Sequence, residues 1–397
     1  MAHRPRSPGL PAAKVAVALA AICAAILALL VAAPSPSPAA PAATGCDATV
    51  GSLDAARSRV DAASPGKVIC LRDGSYGSIS LGGGKKGAPV TLRPVDAGQA
   101  TIEGANLSGS HLTLENFQIH GEVEIEPHAD QITISHNNIT GGYFGIDACN
   151  SDSATCDDVA IIGNKLEGPY GEDAIRANRY HDANGDGIGL LIEGNEFTGI
   201  RENGNHSDCL QTVWTGDHLV YRKNYVHDNH CQGFFVKDQD DLCGGDSSGV
   251  CGPVEGIRVE DNLFLRNEAP CDPPSLDCGP DVIVHIFGPT RGVRVAKNTI
   301  WTPGDDSPLA LREGPFGQVT IERNVIYRGW TDWTGGFPNW REREDVVCKW
   351  EGYPRLSPSS KRTCHPGFRK PSVDDYRLRK GKAGIDWSPT QVRYGPR

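Results

Sequence analysis

The chain has 397 residues, of which 39 are Lys or Arg and 49 are Asp or Glu, so its formal net charge is −10 at pH 7. An acidic chain lacks the basic face that binds a phosphate backbone, which argues against nucleic acid as a partner. With 47 glycines, one methionine and many short β-branched runs, the composition is typical of an all-β protein.

Residues 1–33 are predicted to form a targeting segment. Arg4, Arg6 and Lys14 precede the apolar run Val15–Ala33, an order typical of a cleaved secretory signal peptide. The run is also long enough to span a bilayer, so an uncleaved signal anchor is the alternative, and only that alternative ties the protein to a membrane. Residues 34–45 are predicted to be a Pro/Ala-rich linker. In both cases we expect the rest of the chain to be secreted or displayed at the cell surface.

Cysteine usage agrees with export. Of the 13 cysteines, Cys23 lies in the targeting segment, and the remaining twelve fall into pairs that are close in sequence. Nearest-neighbour pairing predicts the disulfides Cys46–Cys70, Cys149–Cys156, Cys209–Cys231, Cys243–Cys251, Cys271–Cys278 and Cys348–Cys364. Zinc binding is disfavoured because no two cysteines are separated by only two residues.

One pattern, apolar-x-apolar-x-x-Asn-x-apolar, recurs along the chain. Its asparagines are Asn137, Asn164, Asn195, Asn224, Asn262, Asn298 and Asn324. The alternation predicts strands that bury one face, and an Asn suits the sharp turn that follows each strand. When coils stack, such asparagines lie above one another and bond as a ladder. The intervals vary, so we predict a repeat with insertions.

A second set of short apolar runs lies between these strands, so each coil carries strands in different sheets. A long connection between parallel strands without helices predicts an all-β, right-handed, single-stranded parallel β-helix. Leu53–Ala63 is predicted to form a short helix that caps the first coil, because a solenoid must cover its open end.

The segments PGKVICLRDGSYGSISL (65–81), KKGAPVTLRP (85–94) and ATIEG (100–104) resemble the entry coils of chondroitinase-B-like and alginate-lyase-like proteins. These belong to the secreted right-handed β-helix (pectate-lyase-like) superfamily, and residues 375–386 resemble the tail of many members. The resemblance covers residues 46–386, which we predict to be the β-helix domain with its caps, and 387–397 a tail. It implies the fold but does not choose a reaction, because the superfamily contains lyases, hydrolases, epimerases and binding proteins.

The longest insertions, at 201–207, 238–254 and 267–281, are expected to border a binding groove, or else to be loops without that role. Beneath them, if Ile175, Leu210, Val236, Val284 and Leu311 point inward, one outward column is predicted to contain Arg176, Gln211, Lys237, His285 and Arg312. A second predicted group, tied together by Cys209–Cys231, adds His206, Asp208 and His230. Its alternative is a polar turn whose His and Asp side chains cap backbone groups.

These residue types suggest a polysaccharide lyase that acts on a uronic-acid polymer by β-elimination. Such a lyase needs a cation to neutralise the sugar carboxylate and a base to remove the neighbouring proton. The hypothesis assigns Lys237 as base and Arg312 or Arg176 as neutraliser. Calcium is a possible cofactor, with Asp238, Asp240, Asp241 and Asp246 as ligands. The alternative is a non-catalytic, surface-displayed β-helix that binds glycan or cell wall. We expect a monomer whose partner is a polysaccharide.

Overall fold

Strands alternate buried and exposed side chains, and each strand pairs in parallel with its counterpart one coil further along the chain. The computed structural model describes residues 45–150, 154–201, 207–213, 216–229, 231–237, 254–265, 282–287, 290–301, 307–312, 316–333, 339–351, 357–363, 365, 368–370 and 375–378. Within the unit Cys46–Arg397, the described coils form a right-handed parallel β-helix, as predicted. Each complete coil contributes one strand to each of three sheets, called A, B and C in chain order within a coil, whereas the terminal coils are incomplete.

Sheet A precedes the asparagine turn. Its strands are β1 (Ala48–Val50), β2 (Val68–Leu71), β5 (Val90–Pro94), β8 (Ser110–Glu115), β11 (Asp130–Ser135), β15 (Val159–Ile162), β19 (Leu190–Glu193), β22 (Leu219–Arg222), β25 (Ile257–Glu260), β28 (Thr290–Ala296), β31 (Phe316–Glu322) and β33 (Asn339–Arg343). Two short strands, β14 (Cys156–Asp157) and β18 (Tyr180–His181), extend it at one edge.

Sheet B follows the asparagine turn. Its strands are β3 (Gly74–Ser75), β6 (Ala100–Ile102), β9 (Gln118–Ile119), β12 (Asn138–Thr140), β16 (Lys165–Glu167), β20 (Glu196–Thr198), β23 (Tyr225–His227), β26 (Leu263–Leu265), β29 (Thr299–Trp301), β32 (Val325–Trp333), β34 (Val346–Glu351) and β35 (Lys361–Arg362).

Sheet C completes each coil. Its strands are β4 (Ile79–Leu81), β7 (Ala105–Leu107), β10 (Val123–Ile125), β13 (Ile146–Ala148), β17 (Ile175–Ala177), β21 (Gln211–Thr212), β24 (Phe234–Lys237), β27 (Val282–Phe287) and β30 (Ser307–Arg312). The end of β32 also pairs with β30. An antiparallel hairpin of β36 (Phe368–Lys370) and β37 (Asp375–Leu378) follows the coils. The rings of Phe368 and Trp301 meet edge-on, with their centroids 4.8 Å apart.

The predicted asparagine ladder is present. The side-chain amide of each Asn donates to Oδ1 of the Asn in the next coil at 2.9–3.1 Å, from Asn137 through to Asn324. The same amide also donates to a strand carbonyl, as Asn224 does to Ile192 at 2.9 Å. These side chains are buried, so each coil turn is fixed by hydrogen bonds that water does not compete for.

The first coil is capped by the predicted helix, here α1 (Leu53–Ala62). Ser52 is its N-cap and accepts a hydrogen bond from the Ala55 backbone at 3.3 Å. Ala56 and Val60, on one face of the helix, are buried against the core. The helix therefore covers apolar side chains that would otherwise face water at the open end.

Three predicted disulfides are present: Cys46–Cys70, Cys149–Cys156 and Cys209–Cys231. The pairs Cys243–Cys251 and Cys271–Cys278, together with Cys364, lie outside the described residues, and so do residues 1–44 and 387–397. In the part of the chain that the structure describes, there is no helix with the length and apolar character needed to cross a membrane.

Candidate functional site

The outer face of sheet C carries the residues that the sequence analysis proposed for chemistry. Parallel pairing aligns side chains of successive coils in columns, with neighbouring coils about 4.8 Å apart. One outward column, the first column, contains Ser80, Asn106, Glu124, Asp147, Arg176, Gln211, Phe235, His285 and Ala310. The second column, two residues further along the strands, contains Lys237, Phe287 and Arg312.

The prediction of a single outward column was therefore wrong. The inward residues were assigned correctly, because all five are buried: Ile175, Leu210, Val236, Val284 and Leu311. Their alignment is offset, since Val236 pairs with Ile286 rather than with Val284. An offset of two residues keeps every side chain on its own face, so the alternation pattern does not reveal it. Lys237 and Arg312 consequently stand in the second column and His285 in the first.

Lys237 and Arg312 are the cationic side chains of the second column, with Phe287 between them. Each pairs in register with Phe287, so the two cations lie two coils, or about 10 Å, apart. The Lys237 Nζ lies 5.2 Å from the centroid of the Phe287 ring, within the range of a cation–π contact. All three side chains are partly exposed. This strip thus offers two positive charges and an aromatic surface to a ligand.

His285 lies beside this strip but is buried. It is 6% exposed, and its ring centroid is 5.1 Å from that of Phe235 and 5.5 Å from that of Phe287. Its Nδ1 lies 3.2 Å from Oε1 of Gln232. With aromatic rings on either side, His285 is placed to hold those rings in position rather than to touch a substrate. This corrects its predicted place among the outward reactive groups.

Asp208 and Gln211 lie at the entry to sheet C in the coil before Lys237. Asp208 is fully buried, its backbone N–H donates to Asp173 Oδ1 at 2.8 Å, and its Oδ2 accepts from Gln211 Nε2 at 2.9 Å. These contacts agree with the alternative in which this segment is a polar turn with capped backbone groups. The predicted neighbours His206 and His230 lie outside the described residues.

An acidic cluster of Asn106, Glu124 and Glu126 lies further toward the N-terminal coils, and the sequence analysis missed it. The Asn106 amide donates to Glu124 Oε2 at 2.8 Å and to Glu126 Oε1 at 2.6 Å. Glu122, Glu124 and Glu126, in and beside β10, alternate with the buried Val123 and Ile125. The signal was present as glutamates at alternate positions 122, 124 and 126, a spacing that places them on one face of a strand.

Asp147 and Arg176 are register partners in the first column. Asp147 is only 7% exposed, and burial raises its pKa to about 6. Its Oδ2 accepts from Asn150 at 3.1 Å, whereas Oδ1 has no hydrogen-bond partner within the described ranges. The buried Nε of Arg176 has none there either. An acceptor and a donor with unused capacity therefore stand side by side on adjacent coils.

The predicted calcium ligands Asp238, Asp240, Asp241 and Asp246 lie outside the described residues. Among the residues that are described, no group of three or more His, Cys, Asp or Glu side chains is arranged to hold a metal ion. The acidic cluster fits this finding, because the Asn106 amide presents its N–H groups to the two glutamates rather than its oxygen to a cation.

No protein-family model and no curated protein match the chain. Solved structures with some likeness include the pectate lyase Pel9A, at 12% identity and a TM-score of 0.49, covering 89% of this chain and 95% of that chain. A mannuronic acid specific polysaccharide family 6 lyase from human gut microbiota has 13% identity and a TM-score of 0.37, covering 80% and 91%.

The surface protein and adhesin PfbA of Streptococcus pneumoniae has 12% identity and a TM-score of 0.33, covering 81% of this chain and 97% of that chain. All three TM-scores are below 0.5. These likenesses assign no activity to this chain, so its function is argued from its own residues.

Proposed function

We propose that this chain is an exported, carbohydrate-active β-helix that cleaves a uronic-acid polymer by β-elimination on the outer face of sheet C. The observation that carries the proposal is the second column, where Lys237 and Arg312 stand about 10 Å apart with Phe287 between them. That span is the reach of one or two sugar units. The three disulfides support export, because disulfides persist in oxidising compartments.

In the proposed reaction, Arg312 pairs with the carboxylate of the uronate ring and so makes the neighbouring C–H more acidic. Lys237 is the proposed base that takes the proton from that carbon. A double bond forms as the bond between the next carbon and the glycosidic oxygen breaks, and the departing oxygen takes up the proton that Lys237 removed, which returns Lys237 to its starting state. The products are a shortened polymer and a chain with an unsaturated uronate at its end.

Arg312 is better placed than Arg176 to neutralise the substrate carboxylate. Arg312 shares a column with Lys237, whereas Arg176 lies in the first column beside the Asp147 carboxyl. The Oε2 of Glu172 is also 3.8 Å from the Arg176 guanidinium. A uronate at Arg176 would therefore meet like charge from two carboxyl groups.

The test is an ultraviolet assay for unsaturated uronate, run with purified protein on pectate, alginate, glucuronan and glycosaminoglycans. We expect one polymer to give product, and Lys237→Ala to lower turnover by about 10²–10⁴-fold, the usual contribution of a general base. Lys165→Ala is the matched control, because Lys165 is on sheet B and pairs with Glu167. If Lys237→Ala is folded and turns over as fast as the wild type, Lys237 is not the base and the proposed site is wrong.

Calcium is the cofactor that we propose for the insertion at 238–254, because clustered carboxylates suit this hard cation. When bound, it would supply a further positive charge to the site. If calcium is required, dialysis against a chelator abolishes product formation and added Ca²⁺ restores it. Full activity of the chelated protein would exclude the requirement while leaving Lys237 and Arg312 as the proposed site.

The second candidate is glycan binding without catalysis. The contact between the Lys237 ammonium and the Phe287 ring favours this candidate. A lysine that is positioned by an aromatic ring can bind a ligand carboxylate without cleaving the polymer. Calorimetric binding of a uronate oligomer, combined with no unsaturated product over prolonged incubation, would establish this candidate in place of the lyase.

A further inference from the structure

A third group on the same face is formed by Tyr143, Phe144, Asp147 and Arg176. It lies on the coils of β13 and β17, which are three and two coils before that of Lys237, so the group is about 10–14 Å from Lys237 along the stack. Neither the catalytic pair proposed above, Lys237 and Arg312, nor the acidic cluster uses these side chains. We propose that this group, the hydroxyl subsite, binds an uncharged sugar ring through its vicinal hydroxyls.

The polar half of the subsite is the pair Asp147 and Arg176. Asp147 is more than nine-tenths buried, yet its Oδ1 accepts no hydrogen bond, and the Nε–H of Arg176 donates none, in the described part of the chain. Leaving such groups unpaired is costly unless a ligand or solvent completes them. Since they are register partners, this acceptor and this donor belong to adjacent side chains of neighbouring coils. Adjacent hydroxyls of a sugar each offer both functions.

The apolar half is the exposed ring of Tyr143. Tyr143 is 52% exposed, and Val95 is the other large apolar side chain that is exposed among the described residues. The Tyr143 ring meets that of Phe144 edge-on at 4.8 Å, and Arg176 lies 5.1 Å from the centroid of the Phe144 ring. An aromatic face beside a hydrogen-bonding pair is a combination suited to the C–H face and hydroxyl edge of one sugar.

The position of Tyr143 is fixed by its neighbours. The backbone N–H of Glu172 donates to the Tyr143 carbonyl at 2.8 Å. A Cβ at Gly171 would lie 2.6 Å from Cδ2 of the Tyr143 ring, so only glycine leaves room for the ring there. The Tyr143 ring is therefore positioned by the backbone of the next coil.

An uncharged ring is favoured over a uronate here because of local charge. Glu172 approaches the guanidinium of Arg176, and Glu124 pairs in register with Asp147. Charge from these carboxyl groups opposes a ligand carboxylate but not a hydroxyl. This inference rests on the proposed function and names the substrate class: a polymer in which an uncharged sugar lies about two or three units from a uronate.

The experiment measures calorimetric binding of two probe sets to the full-length secreted protein: neutral tetrasaccharides of galactan, xylan and glucan, and uronate tetramers. We expect one neutral tetramer to bind, and Tyr143→Ala and Asp147→Asn each to weaken its binding by about tenfold or more. Tyr143→Phe keeps the ring and should retain most of the affinity. Val95→Ala is the control for removal of an exposed apolar side chain.

Because Tyr143 is exposed, its variants test the inference even if Asp147→Asn unfolds. Wild-type affinity for the neutral tetramer in Tyr143→Ala overturns the hydroxyl subsite, and so does the absence of any neutral ligand. If no neutral tetramer binds while uronate tetramers bind and are cleaved, the proposed function stands and the hydroxyl subsite is wrong. If a neutral tetramer binds in a Tyr143-dependent way while no uronate binds, the subsite stands and the lyase proposal fails.

Discussion

The amide of Asn324 donates to Oδ1 of Asp345 at 3.0 Å, and its backbone N–H donates to the same oxygen at 2.6 Å. Asp345 thus occupies the next position of the ladder that begins at Asn137, with a carboxyl in place of an amide. It is almost fully buried, and burial raises its pKa well above the usual range of an aspartate. The ladder therefore includes a group that can ionise.

Asp345→Asn should make the β-helix more stable at high pH. A group whose pKa is raised on folding contributes stability below its unfolded pKa, and that contribution is lost as the pH rises through the folded pKa. The wild type should therefore lose stability with rising pH and the variant should not. Urea unfolding midpoints between acid and alkaline pH measure the difference, with Asp61→Asn on α1 as an exposed control. If the difference in unfolding midpoint between the wild type and Asp345→Asn is the same at every pH, the pKa of Asp345 is not raised on folding.

Asn224→Asp should be strongly destabilising. The Asn224 amide donates to Ile192 O at 2.9 Å and to Asn262 Oδ1 at 3.1 Å, and an ionised carboxylate can donate to neither. Acceptors would then face one another in a buried site, at a cost of about 2–4 kcal/mol in the free energy of unfolding. Asn138→Asp is the matched control, because Asn138 is only partly buried and bonds Gln118. Chemical denaturation of both variants measures the contrast.

Glu322→Gln should weaken an ion-pair network on the outer face of sheet A. Glu322 accepts from Arg294 at 2.6 Å and from Arg343 at 2.6 Å. Burial alone would raise the pKa of Glu322, but the two guanidinium groups outweigh it and lower that pKa. Both arginines are partly exposed, so we expect a loss of about 1–2 kcal/mol in the free energy of unfolding at neutral pH.

This loss should disappear at acid pH. A lowered pKa contributes stability above the unfolded pKa, and that contribution is lost as the pH falls through the folded pKa. Glu344→Gln, in the more exposed pair with Arg323, should change the free energy of unfolding by less than about 0.5 kcal/mol. Equal effects of the two variants in thermal unfolding would show that burial does not strengthen the Glu322 network.

Arg312→Ala should raise KM for the uronate polymer by roughly 10–100-fold, since a hydrogen bond to a charged group contributes about 1.5–3 kcal/mol. Arg312→Lys keeps the charge but loses the bidentate geometry, so it should recover part of the effect. Steady-state kinetics of both variants on the polymer that the wild type cleaves measure the difference. An unchanged KM in Arg312→Ala would show that Arg312 does not bind the carboxylate.

The sequence alone determined the coil. Asparagines from Asn137 to Asn324 fixed the turns, because a polar side chain in a buried turn must satisfy its hydrogen bonds with its counterpart in the next coil. Period-two alternation fixed which side chains face the core, and the cysteine spacing predicted the disulfides Cys46–Cys70, Cys149–Cys156 and Cys209–Cys231 that are present among the described residues. These are local properties, so they can be read along the chain.

Only the tertiary structure decided which outward residues meet. A shift of two residues between coils changes no side chain's facing, so the sequence could not show that Lys237 aligns with Arg312 while His285 aligns with Arg176. The same reason hid the pairing of Asp147 with Arg176. Asp345 was missed because the ladder position accepts any side chain with a suitably placed oxygen, and only the stacked coils show that a carboxyl fills it.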